Sequence, residues 1–172
     1  MTSFKTDIRI NAPKSDVWKV LADLGGIQSY NAAVKKSYYS TDAKEGVGAG
    51  RVCELIPMGE VEEKAIAWND QESYTLDVKP VGGNPPLKRA EATLTVQEDG
   101  NQTLVTMEME YEVKFGPLGK LMDMMMMKPQ FAKVVPNILL GLKHHVETGE
   151  EVDGAVIKRL NAQGAGASPT YA

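Results

Sequence analysis

A single cysteine in 172 residues leaves no partner for an internal disulfide, so the thiol count gives no sign of an oxidising compartment. Cys53 reads as a buried, inert thiol rather than a reactive one. Histidine is nearly as scarce. His144 and His145 are the whole supply, and adjacent helical residues diverge by about 100 degrees, so they cannot hold one metal between them. No Cys, Asp or Glu spacing completes a metal site around them, and nothing ties them to a nucleophilic serine or to Cys53. Neither metal nor cofactor is expected, and both histidines fit the surface near a helix C-terminus, where positive charge is favoured. A dense basic cluster is also missing. The chain carries 19 basic and 23 acidic side chains, a net charge of −4, which argues against nucleic-acid binding. No apolar run approaches the ~20 residues of a membrane span, and the opening MTSFKTDIRI lacks a signal-peptide core. Integral membrane association is therefore not expected, and a cytoplasmic location is. Gly46, Gly48 and Gly50 lack the Lys-Ser/Thr that follows a phosphate loop and lead into a strand, so they read as a hairpin connection. No internal repeat is present.

What the chain does have is patterning. Apolar and charged fractions of 42% and 24% are ordinary for one globular domain of this length. From Val105 to Phe115 apolar and polar residues alternate without a break: Val105, Met107, Met109, Tyr111, Val113 and Phe115 on one face, Thr106, Glu108, Glu110, Glu112 and Lys114 on the other. A period of two predicts an antiparallel strand with one side covered and one side wet. Gly116-Pro117 ends it, and residues 118 to 147 repeat apolar positions at helical spacing. A long helix following such a sheet predicts a helix laid across the covered face, with a container between them.

Earlier in the chain, Phe4 to Asn11 alternates and predicts a first strand. Ala12-Pro13 opens a helix, since a proline in the first turn forfeits no helical hydrogen bond. Val17, Trp18, Val20, Leu21 and Leu24 give it a covered stripe, and Gly25-Gly26 stops it before a short helical turn over Ile27 to Tyr30. Strands are then predicted at about 34 to 42, 50 to 57, 60 to 68, 72 to 80 and 88 to 98, separated by turn-forming residues. Residues 149 to 161 add a short amphipathic piece through Val152, Val156, Ile157 and Leu160. The final AQGAGASPTYA reads as a flexible tail. The division is thus a ligand-binding domain over 1–148 and a C-terminal extension, flexible in character, over 149–172.

This order, with IRINAPKSDVWKVLADLGGIQSYN at 8 to 31, GVGAGRVCEL at 46 to 55, VEEKAIAWND at 61 to 70 and KFGPLGKLMDMMM through GLKHHVE at 114 to 147, resembles a known superfamily. It is that of START lipid-transfer domains, the birch-pollen allergen and bacterial polyketide cyclase/dehydrase-like proteins (SRPBCC), most closely the last group. The resemblance implies an α+β helix-grip fold: a seven-stranded curved antiparallel sheet around a long C-terminal helix, with two short helices after the first strand. It also implies a mainly apolar cavity and, in cyclase-like relatives, polar pocket residues that orient a reactive polyketone.

Candidate ligand-binding residues follow from parity. Arg51 and Glu54 lie on opposite faces of their strand, so whichever face turns inward brings one charge with it; Glu63 is similarly opposed to Glu62. Tyr74 and Leu76, Ala92, and Met107, Met109 and Tyr111 fall on predicted inner faces, and the alanines at 90 and 92 leave volume unfilled. Met122 and Met125 are expected to face the sheet with Leu118 and Leu121. An inward arginine near a glutamate could hold a carboxylate or enolate, and a tyrosine could donate a hydrogen bond or a proton. The alternative is a solvated rim pair with satisfied core tyrosines. The methionines read either as irregular core filling or as an adaptable pocket wall, and outward ones at 124 and 127 as a patch for a partner or for peripheral membrane contact. Pro129 and Pro136 either kink the last helix open as a mouth or break it in two. The expected partner is a small hydrophobic ligand, bound by a monomer or a homodimer. Cyclase- or dehydratase-like turnover and an interaction-module role are the alternative uses.

Overall fold

The computed structural model describes residues 2–57, 59–82, 87–114, 116, 124–125, 128–164 and 170–171. Strand β1 (Thr2–Ile10) is followed by α1 (Lys14–Ala22), a 3₁₀ helix (Leu24–Ser29), and then β2 (Val34–Tyr39), β3 (Gly50–Leu55), β4 (Gly59–Asn69), β5 (Ser73–Pro80), β6 (Leu87–Asp99) and β7 (Gln102–Val113). Helices α2 (Lys128–Thr148) and α3 (Gly154–Ala162) and a two-residue strand β8 (Thr170–Tyr171) complete the chain. The sheet order is β2-β3-β4-β5-β6-β7-β1-β8, with antiparallel neighbours throughout. This is the α+β helix-grip fold, with β8 added on the outer edge of β1.

Alternation builds the covered face. Phe4, Thr6, Ile8 and Ile10 of β1, Ala90, Ala92, Leu94 and Val96 of β6, and Val105, Met107, Met109 and Tyr111 of β7 are buried, while their chain neighbours point to the other face. Helix α2 packs chiefly on β1 and adds Val135, Leu139, Leu140 and Leu142 to the same core. Each fully buried leucine of this kind contributes about 1.5–3 kcal/mol, so the core of the grip is where most of the fold's stability resides.

Helix α1 buries Val17, Trp18, Leu21 and Ala22, and Pro13 is its N-cap rather than a first-turn residue. Its carbonyl accepts from Asp16 N at 3.0 Å and Val17 N at 3.2 Å. The C-terminal helix also differs from expectation. In the described helix, Lys128–Thr148, Pro129 lies in the first turn, where its missing N–H costs nothing, and Pro136 lies inside, buried. Residues 117–123 and 126–127, including Met122, lie outside the described residues.

Past residue 148 the chain stays on the domain. Val152, Val156 and Ile157 form a small buried cluster with Ala32 and Leu160, and Val152 N donates to Ser29 O at 2.9 Å. Asp153 caps α3, its Oδ1 accepting from Ala155 N and Val156 N, both at 2.9 Å. Within the stretch read as a tail from sequence, Thr170 and Tyr171 form β8, pairing with Lys5 and Phe4.

Candidate functional site

Arg51 settles which face of β3 turns inward. Its side chain is 3% exposed, and Glu63, directly opposite it on β4, is 15% exposed. The guanidinium Nε donates to Glu63 Oε2 at 2.5 Å and an Nη donates to the Leu24 carbonyl at 2.9 Å, at the start of the 3₁₀ helix. The Arg51 charge also acts on the Tyr30 hydroxyl. The Cys53 thiol lies 3.7 Å from Glu63 Oε2 and 3.8 Å from Ser37 Oγ. Tyr74 borders the same cluster and feels the charge of Arg51 and the negative ends of Tyr30 and Glu63. A charged pair is thus sunk in the core and neutralised there by its own partners.

Burial works against the Arg51 charge, but Glu63, with Tyr30, Cys53 and Tyr74 adding to it, outweighs that effect and holds its pKa above the ordinary value. Burial pushes the Tyr30 hydroxyl up to about 12 and the Cys53 thiol up to about 11, with Arg51 opposing both shifts. Cys53 is therefore a protonated thiol at neutral pH, and Tyr30 a neutral hydroxyl.

These shifts set an alkaline limit on stability. A folded-state pKa above the ordinary one means that the unfolded chain gives up its proton first as pH rises. Stability is complete below the ordinary thiol value of 9.0 and falls as pH climbs through the folded values of about 11 and about 12. The urea midpoint is expected to drop steadily from pH 9 to pH 11, and to drop less in Tyr30→Phe. A midpoint unchanged across that range would contradict the burial of these groups.

Beyond the ion pair the cluster runs into aromatic packing. Trp68 stacks on Tyr74 with centroids 5.2 Å apart, and Trp18 meets Trp68 edge-on at 5.5 Å. Trp18 Nε1 donates to Asp70 Oδ1 at 3.2 Å. Trp68 turns inward because a bulge between Ala65 and Ala67 shifts the parity of β4 and leaves Ile66 outside.

The structure brings Arg51, Glu63 and Tyr74 of the sequence shortlist together, and adds Tyr30 and Cys53. Glu54 is not among them: it points to the outer face and pairs with Lys35 at 2.7 Å, as a period of two from Arg51 requires. Leu76, Ala92, Met107 and Met109 are buried on the covered face. Tyr111 sits apart from the ion pair, with Ala90 and with Phe131 of α2, its ring centroid 5.0 Å from that of Phe131. Met125 does not face the sheet: it is 72% exposed and Met124 is 62% exposed. His144 and His145 hold the end of α2, bonded to the Glu150 carboxylate at 2.7 Å and to the Glu150 carbonyl at 2.8 Å.

Tyr30 escapes a sequence reading because it ends a six-residue 3₁₀ helix, where no periodicity marks an inward side chain. An open groove of about 860 Å³ lies where β5 and β6 part beyond the Asp77–Glu91 pair. None of the Arg51 cluster lines it, and its charges are engaged in the pairs Lys79–Asp77, Arg89–Glu91 and Lys88–Glu112. Among the described residues no group of three or more His, Cys, Asp or Glu could hold a metal ion, and no helix is long and apolar enough to cross a membrane.

A helix-grip sheet with an apolar covered face and one buried polar cluster defines the class of START-like ligand-binding folds. The chain belongs to the family described as polyketide cyclase / dehydrase and lipid transport, whose model matches residues 1–147. Among solved structures it is similar to TTHA0849 from Thermus thermophilus, with 24% identity, a TM-score of 0.66, and 86% of this chain and 98% of that one covered. A START superfamily protein from Mycobacterium smegmatis shares 12% identity with a TM-score of 0.67, covering 86% of this chain and 98% of that one. The di-domain ARO/CYC BexL from the BE-7585A biosynthetic pathway shares 14% identity with a TM-score of 0.70, covering 86% of this chain and 47% of that one. At these identities the likeness is one of fold. No curated protein matches the sequence.

Proposed function

We propose that the protein binds a small hydrophobic or aromatic molecule between its sheet and α2. One observation carries this reading. Ile8, Leu94, Met107 and Met109 lie on the covered face of inner strands, yet keep 6–8% of their surface accessible, whereas Val105, Leu139 and Leu142 around them keep none. Residual accessible surface on apolar side chains in an otherwise close-packed core supports an apolar ligand there, at about 25 cal/mol per Å² of ligand surface removed from water.

Native mass spectrometry of protein purified from its own host tests this, followed by extraction and identification of what is bound. A co-purifying apolar molecule is the expected result. An empty protein that shows no mass shift with a lipid and polyketide panel would overturn it.

The second reading is a cyclase- or dehydratase-like enzyme acting on such a molecule. The Arg51–Glu63–Tyr30–Tyr74 cluster favours it, since a guanidinium and neutral phenols in a dry core stabilise a developing enolate. Turnover of the extracted molecule, lost in Tyr30→Phe while binding remains, would establish this reading; binding without turnover would refute it.

A further inference from the structure

The buried polar groups differ in one respect. Arg51 is bonded to Glu63 and Leu24, Thr103 Oγ1 donates to the Ala12 carbonyl at 2.8 Å, and Asn31 Oδ1 accepts from Ala33 N at 3.1 Å. The Thr6 hydroxyl has nothing. It is the one buried side-chain nitrogen or oxygen among the described residues without a hydrogen-bond partner, on a residue only 1% exposed. Leaving a buried hydroxyl unbonded is unfavourable, and valine would fill the same volume without that cost.

Position gives this a direction. Thr6 shares the covered face of β1 with Phe4 and Ile8 and pairs across to Met107 of β7. Ile8, Met107 and Met109, its neighbours on that face, are among the residues that keep accessible surface in the core. The unbonded hydroxyl and the side chains that keep some accessible surface thus share one stretch of the covered face.

We propose that Thr6 Oγ1 is the hydrogen-bonding contact for the ligand, and that the ligand is a neutral, mainly apolar molecule carrying one hydroxyl or carbonyl oxygen there. A carboxylate is disfavoured, because the buried cation among the described residues, Arg51, is already engaged by Glu63. The proposal rests on the cavity reading above.

Three probes of one shape test it by calorimetry on the full chain: 2-naphthol, 2-methylnaphthalene and 2-naphthoate. The wild type is expected to prefer 2-naphthol over 2-methylnaphthalene and to bind 2-naphthoate most weakly. Thr6→Val should weaken 2-naphthol about five- to tenfold, the value of one hydrogen bond, and leave 2-methylnaphthalene unchanged. Without ligand, Thr6→Val should melt no lower than the wild type. Binding of all three probes with no preference, or a preference that survives Thr6→Val, would overturn the assignment and leave the cavity standing; a structural water on Thr6 would give the first pattern. Failure of every probe to bind the folded wild type would instead remove the cavity reading itself.

Discussion

Gly141→Ala is expected to lower the melting temperature by about 6–12 °C, the equivalent of about 3 kcal/mol in a chain of this size. Alanine is normally the better helix former by about 1 kcal/mol, so propensity alone predicts the opposite sign. Space decides against it. A Cβ on Gly141 would collide with the Tyr30 carbonyl oxygen and stand 3.2 Å from Val152 Cγ1. The first of these is backbone and cannot swing aside. Helix α2 therefore meets the end of the 3₁₀ helix backbone to backbone, and the glycine is what permits the approach. Gly154, at the start of α3, would have nothing within 4 Å of an added Cβ and has no unusual φ. Gly154→Ala is the internal control and should be neutral or slightly stabilising. Thermal melts of the two variants side by side settle the matter, and a higher midpoint for Gly141→Ala would show that the close approach does not exist.

This contact also bears on the site. Tyr30 sets its carbonyl against the helix face at Gly141 while its hydroxyl feels the Arg51 charge, so the seating of α2 and the electrostatics of the buried cluster share one residue. Gly141→Ala is accordingly expected to alter the alkaline limit set by Tyr30 and Cys53 as well as the melt.

Much of the frame was legible because burial imposes a period. The alternation from Val105 to Tyr111, the stripe on α1 and the paired faces of β5 and β6 all repeat at the spacing of the element that carries them. Arg51 was legible only as a dilemma. Parity shows that it and Glu54 must diverge, but which of them faces inward depends on the partner strand and on Leu24, 27 positions away in sequence. Trp68 was obscured by the bulge at Ile66, which reverses parity within one strand. Thr6 hid for the opposite reason: a threonine fits a strand so well that a hydroxyl on the covered face looks unremarkable until its partners are sought. Met125 misled because a run of four methionines is compatible with any helical phase, so its spacing cannot say which of them faces the sheet.

Glu63→Leu is expected to cost about 3–5 kcal/mol, because it leaves the Arg51 charge in the core without its counter-ion. The loss exceeds the worth of the pair itself. Arg51→Met should destabilise by a similar route, leaving Glu63 as the unpaired charge beside Cys53 and Tyr30. The combined Arg51→Met and Glu63→Leu variant is expected to recover most of either loss, since two apolar side chains of similar volume carry no desolvation penalty. Urea unfolding of the four proteins closes the cycle, with a coupling of at least about 3 kcal/mol expected for such a pair. Losses that simply add would mean that the two residues do not form a buried pair. The combined variant also separates frame from chemistry. It lacks the guanidinium but retains Thr6 and the apolar face, so it should bind 2-naphthol as the wild type does. Under the enzyme reading it should lose turnover completely, for no other buried cation among the described residues stands ready to replace Arg51. A stable charge-free variant with full binding and no turnover would assign the pair to catalysis. The same variant with turnover intact would make the pair a device for fixing the register of β3 on β4 and the seat of the 3₁₀ helix above them.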